Sequence, residues 1–233
     1  MPYFDILKTY NSSNSFRASS IVDLFTIEQS NLSERFIGNI DIEGKDWNVG
    51  LIVGGSGSGK STIARECFGD WLIGGMKYND ASVIDDMPRD FTAKQVAEVF
   101  TSVGFASPPS WLKPYGVLSN GEKMRVDLAR AIMERGDRFA FDEFTSVVDR
   151  RVAQTGSAAI AKAVRKRGGQ FVAVTCHHDV TEWLEPDWIY DTDQQRFFFA
   201  QANGSVLKSA LMFTKLEVSG AMKSGAPLQS III

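Results

Sequence analysis

The run Gly54-Gly55-Ser56-Gly57-Ser58-Gly59-Lys60-Ser61 matches G-x-x-x-x-G-K-[ST] in full. Glycines let successive backbone N–H groups turn inward around phosphate oxygens, at the positive end of a helix dipole. Lys60 is suited to reach the β- and γ-phosphates of a nucleotide, and the Ser61 hydroxyl to ligate Mg²⁺. Thr62 is placed to contact the α-phosphate. A plain Gly/Ser turn would not need the apolar run before it or Lys-Ser-Thr within it. A second run, Phe139-Ala140-Phe141-Asp142-Glu143, is a short apolar strand ending in two carboxylates. A strand-end Asp142 beside a phosphate-binding loop can hold Mg²⁺ through water, and Glu143 can polarise an attacking water. Ser119 and Glu122 stand in the S-x-x-E relation of a capping box. The same helix start could equally offer its N–H groups to a phosphate.

These residues need strands that end, and helices that begin, at one edge of a sheet. Residues 48–53 form a compact apolar, β-branched run that reads as a buried strand, and 61–68 have helical character. The spacing predicts helices over 92–103, 120–136 and 150–166, with a shorter one over 178–184. Strands are expected at 21–27, 36–42, 81–84, 138–141, 170–175, 188–191 and 196–200. Alternating strands and helices imply an α/β fold with a largely parallel sheet. Residues 1–20 read as a loosely held lead-in. The stretch 201–233, rich in Ser, Gly, Ala and Lys and ending in three isoleucines, reads as a tail of uncertain order.

The order of motifs resembles the ATP-binding-cassette (ABC) ATPases, whose signature is Leu-Ser-Gly-Gly-Gln at a helix start. Here Leu118-Ser119-Asn120-Gly121-Glu122 stands in that place, with Asn120 for the first glycine and Glu122 for the glutamine. Asn tolerates positive φ, which makes it a workable substitute. Ser146-Val147-Val148-Asp149 resembles the family's D-loop, and VAVTCHHD its switch segment. The resemblance covers roughly residues 16–200. It implies a P-loop NTPase fold with a mainly parallel core sheet, an antiparallel β subdomain and a helical signature subdomain. It further implies ATP and Mg²⁺ as ligands, hydrolysis aided by Glu143 and a switch histidine, and an ATP-dependent homodimer. In that dimer Ser119, Asn120, Gly121 and Glu122 face the partner's nucleotide, and Asp149 lies in the D-loop between subunits.

Two positions depart from the family. Its coupling glutamine, at a strand end between P-loop and signature, is replaced here by Asp85 or Asp86, and Gln95 lies too deep in the following helix. The switch histidine is His177 or His178. SVIDDMP, GFASPPSWLKPYGVLSNGE and TCHHDVTEWLEPDW resemble a phage and bacterial group of stand-alone cassette ATPases, and this favours His177. Members of that group are often joined to an acetyltransferase-like module, for which the stretch after residue 200 is too short. The family also stacks an aromatic from an early strand on adenine; Phe25 is the candidate, with Phe16 and Phe36 as rivals.

Composition narrows the field. Of 233 residues 44% are apolar and 23% charged, with formal net charge −3, so the chain is globular and its charge gives no nucleic-acid footprint. Arg165-Lys166-Arg167 reads as a solvated helix end. Two cysteines, Cys67 and Cys176, cannot build a CxxC-type zinc site and read as reduced thiols. No secretory leader or membrane-spanning run is visible, so a cytoplasmic protein is expected, with any membrane part supplied by another chain. An Asn-Lys-x-Asp guanine-reading motif is absent. A partner protein moved by nucleotide-driven dimerisation, with little turnover, is the alternative to an enzyme.

Overall fold

The computed structural model describes residues 3–10, 15–27, 33–74, 76–79 and 81–199. The chain divides into residues 1–197 and 198–233, and every element below lies in the first unit except the end of the last strand. The expected tail, 201–233, lies outside the described residues.

The buried run becomes β3 (Val49–Val53), all of it buried. It is hydrogen-bonded in parallel between β6 (Gln170–Thr175) and β7 (Trp188–Asp191). The full sheet has the order β4-β5-β6-β3-β7-β8, with β4 at Leu72–Ile73, β5 at Arg138–Phe141 and β8 at Arg196–Phe199. A strand flanked on both sides and covered on both faces has no polar position to offer, which is why β3 reads as a continuous apolar run. Gly50 is the exception, because the Trp188 ring lies over it. A Cβ on Gly50 would stand 2.1 Å from that ring. Gly50→Ala is therefore expected to destabilise the fold by about 1–3 kcal/mol through overpacking. For a domain of this size that lowers Tm by roughly 2–12 °C, which differential scanning calorimetry would read.

Helices carry their own start and stop signals. In α3 (Ala93–Ser102), Thr92 and Gln95 form a capping box, so Gln95 is occupied at its own helix start. In α5 (Asn120–Arg135), Ser119 and Glu122 form a second one. Asp149 caps α6 (Arg150–Arg167), which ends on Gly168 in the left-handed conformation, where a glycine costs nothing. Tyr78 and Tyr115 stack at 3.9 Å and both donate to the Asp127 carboxylate, which ties the loop before α3 to α5. Shorter helices are α2 (Lys60–Phe68), α4 (Pro108–Trp111) and α7 (Val180–Leu184).

The N-terminal region departs from expectation. Residues 3–9 are a strand, β1 (Tyr3–Thr9), not a lead-in; it pairs antiparallel with β2 (Ser33–Asn39) as a separate two-stranded sheet. The strand expected at 21–27 falls mostly in helix α1 (Phe16–Phe25), capped by the Ser15 side chain. Ile21, Leu24 and Phe25 recur at helical i, i+3, i+4 spacing, and that period wins over the β-branched look of the run. β2 begins three residues earlier than the strand expected at 36–42. Residues 81–84 turn instead of extending: Asp85 and Asp86 N–H both return to the Ser82 carbonyl.

Candidate functional site

The loop from Gly54 to Gly59 joins β3 to α2. Gly54, Gly57 and Gly59 adopt φ of 155°, 83° and 84°, values that L side chains rarely accept. The Lys60 side chain is buried and its Nζ donates to the Gly55 carbonyl, so the ammonium lies within the loop's own arch. Ser61 Oγ donates to Asp142 Oδ1 at 3.1 Å, joining the first turn of α2 to the end of β5. The hydroxyl and carboxylate expected to share a cation are thus neighbours across 81 residues of sequence. Thr62 Oγ1 accepts from Lys8 Nζ of β1.

Glu143 has φ 54° and Thr145 φ 66°, both unusual for residues with a Cβ. The Glu143 N–H donates to Asp142 Oδ1 (2.9 Å), and Ser146 Oγ donates to Glu143 Oε2 (2.6 Å). Phe144 N–H, bonded to the Val174 carbonyl, anchors this bend to β6. Strain held in place by such bonds is characteristic of a site whose geometry matters. A cleft of about 380 Å³ opens here, lined by Ser56, Gly57, Gly59, Lys60, Ser61, Thr62 and Glu143 together with Lys8, Tyr10, Glu34, Phe36 and Cys176.

Phe25 does not reach this cleft: it lies on α1 and is 66% exposed. Phe16, on the same helix, is 87% exposed. Of the early aromatics Phe36 is the one at the loop, and its ring fills the space a Cβ on Gly59 would need, 2.3 Å away. Lys8, in β1, and Tyr10, the residue after that strand, join it. Neither was singled out in the sequence, because the segment that carries them reads as a lead-in.

The signature residues stand apart from the cleft, at the head of α5. Glu122 Oε2 accepts from Ser119 N–H (2.9 Å) and Ser119 Oγ (2.8 Å). The Ser119 backbone N–H holds the Glu122 carboxyl below its ordinary range. Asn120 is the first helical residue and has no positive φ, so tolerance of the left-handed region plays no part at this position. Its Nδ2 donates to the Val147 carbonyl of the segment before Asp149 (3.2 Å). Gly121 is required by packing, since a Cβ would meet Val152 of α6 at 2.6 Å. Asp149 itself accepts from Arg151 and Val152 N–H as a helix cap.

The two histidines diverge. His177 Nδ1 lies 3.4 Å from Thr145 Oγ1, in the bend that carries Glu143. His178 Nε2 lies 3.9 Å from Asp193 Oδ2. Asp86 turns inward to the Asn79 N–H and amide, and Asp85 accepts from Ser82; neither lines the cleft. Both cysteines are free thiols, and burial pushes Cys67 up to about 12.

No protein-family model matches the chain. It is 30% identical over 178 residues to the uncharacterized ABC transporter ATP-binding protein YcjV of Escherichia coli O157:H7, covering 62% of this chain and 48% of that protein. It is 34% identical over 125 residues to the lipoprotein-releasing system ATP-binding protein LolD of Bordetella avium, covering 54% of this chain and 49% of LolD. The chain thus spans about half the length of these relatives. Among solved structures, the ATP-binding cassette MJ0796, in a dimeric post-hydrolysis state bound to ADP and Pi, superposes with a TM-score of 0.60 at 14% identity. That match covers 86% of this chain and 98% of MJ0796. The chain has the fold of an ABC ATPase cassette.

Proposed function

We propose that the chain binds MgATP at Gly54–Thr62 and hydrolyses it to ADP and phosphate within a head-to-tail dimer. The observation that carries this reading is the Ser61–Asp142 contact at 3.1 Å, with Glu143 in the same cleft. Both are hard oxygen donors, and they fit Mg²⁺, which keeps most of its waters and takes one or two protein ligands beside phosphate oxygens. Bound there, Mg²⁺ would neutralise charge on the β- and γ-phosphates.

This chain's own residues do the rest. Backbone N–H groups of the loop bind phosphate, and Lys60 moves from the Gly55 carbonyl to the phosphate oxygens. Phe36 and Tyr10 supply an aromatic wall for the base in place of Phe25. Glu143 orients the water and takes its proton. His177, held near Thr145, contacts the γ-phosphate. Ser119 and the Gly121 N–H of a second copy complete the cage.

A second reading is a nucleotide-binding subunit that works with a membrane protein. It is favoured by the relatives, which are described as transporter and lipoprotein-release components. Among the described residues no helix is long and apolar enough to cross a membrane.

Turnover separates an enzyme from a nucleotide-switched interaction module. Steady-state phosphate release is expected to scale with the square of protein concentration while the dimer is dilute. Release no faster than that of Glu143→Gln at every concentration would leave the interaction module.

A further inference from the structure

The turn between β7 and β8, residues 192–195, does not belong to any motif above, yet it grips the nucleotide loop from outside. The Asp193 carboxylate accepts the Gly55 N–H with both oxygens, at 3.0 and 2.8 Å. Thr192 Oγ1 lies 2.5 Å from Ser58 Oγ and also donates to the Val53 carbonyl (3.2 Å). Gly54 lacks a side chain where this grip needs the room, since a Cβ would stand 2.0 Å from Thr192 Oγ1. The turn is itself rigid, because buried Asp191 accepts the N–H groups of Asp193 and Gln194 at 2.9 and 3.0 Å.

The peptide groups on both sides of Gly55 are thereby held. Its carbonyl accepts from Ser58 Oγ and Lys60 Nζ, and its N–H is held by Asp193. When Lys60 leaves for a phosphate, the carbonyl loses a donor while the N–H stays fixed. A loop with three glycines at positive φ has much entropy to lose on binding, so a tether that survives the change preorganises it. His178 Nε2 of the switch segment stands 3.9 Å from Asp193 Oδ2, the oxygen that also takes the shorter Gly55 N–H bond.

We propose that Asp193 is a positioning residue that clasps the N-terminal half of the nucleotide loop and links it to the switch segment through His178. The two adjacent histidines then have separate tasks, His177 toward the Glu143 bend and His178 toward the clasp. This inference rests on the nucleotide-site reading above.

The test compares Asp193→Ala, Asp193→Asn and His178→Ala in the full chain, with ATP as the probe. Loss of one charge-assisted bond is expected to raise KM for ATP by about tenfold in Asp193→Ala, with kcat within about twofold of wild type. Asp193→Asn keeps an acceptor for Gly55 N–H and should recover most of that loss. The KM effects of His178→Ala and Asp193→Ala should be less than additive when combined. An unchanged KM in Asp193→Ala, or an Asn variant as impaired as the Ala variant, overturns the clasp, and strict additivity overturns the link to His178. Should Asp193→Ala fail to fold, Thr192→Val removes the second tie and must raise KM for the clasp to stand. Lys60→Ala runs alongside. ATP binding lost in Lys60→Ala with no effect of Asp193→Ala overturns the clasp alone, whereas ATP binding retained in Lys60→Ala removes the site on which both rest.

Discussion

Glu143→Gln is expected to slow ATP hydrolysis by about 10²–10⁴-fold, the usual cost of losing a positioned general base. Nucleotide binding should be kept. Glutamine has the same shape, its amide oxygen can accept the Ser146 hydroxyl, and the backbone bond from residue 143 to Asp142 does not involve the side chain. Only the ability to take a proton from water is removed. ATP then stays bound, and the closed dimer that ATP favours should accumulate. Light scattering behind a sizing column should give a monomer mass without nucleotide and twice that mass with MgATP. A variant that hydrolyses at the wild-type rate would remove Glu143 from the chemistry. A monomer under both conditions would mean that the Asn120 and Glu122 form of the signature does not close on a second nucleotide.

That last outcome has a physical basis in the structure. Glu122 takes up Ser119 N–H and Oγ, which are groups a γ-phosphate would use. A carboxylate at this helix start is stabilised by the dipole and by the Ser119 N–H, and it competes with an incoming anion for the same positive end. In the proposed dimer, closure would have to rotate or displace the Glu122 side chain. The family's glutamine would be neutral in this place. The bland reading of Ser119 and Glu122 as a capping box is correct as local structure, and it sets the resting state from which the proposed phosphate site must open.

What could be read in advance follows how strongly each element declares itself. β3 and the loop after it were legible because burial on both faces removes polar residues and because a phosphate cradle demands glycines at set positions. α5 was legible through its spacing and its cap, Ser119 with Glu122, and α6 through its spacing; that Asp149 and Gly168 cap α6 is seen only in the structure. β1 was not, because apolar residues occur on both its faces: Phe4 is 2% exposed while Tyr3 and Leu7 are 63% and 64% exposed. The two-residue alternation that would mark a half-buried strand is cancelled. Missing β1 meant missing Lys8 and Tyr10, while the choice of Phe25 followed from reading 21–27 as a strand where the chain forms α1. β4 spans only Leu72–Ile73 and is too short to show any period. The Asp193 clasp depends on a contact across 138 residues of sequence, between a turn with no motif and a loop whose motif says nothing of its outer side.

Lys60→Ala is expected to act one step earlier than Glu143→Gln, by weakening ATP binding itself about 10–100-fold. The buried ammonium is held inside the loop by the Gly55 carbonyl, so it is already desolvated and close to where phosphate oxygens must lie. Moving from one carbonyl to charged oxygens costs it little, and the gain is a charge-assisted bond in a sheltered cleft. Alanine removes that gain and also frees the Gly55 carbonyl, which keeps only its Ser58 donors. Equilibrium binding of ATP and of ADP would separate the two contributions. A lysine that acts through the γ-phosphate should matter more for ATP, whereas one that merely shapes the loop should weaken both equally. Equal losses for ATP and ADP, with a lowered Tm, would assign Lys60 to the architecture of the loop. A larger loss for ATP at unchanged Tm would place its ammonium on the terminal phosphate, where Glu143 and the attacking water have to find it.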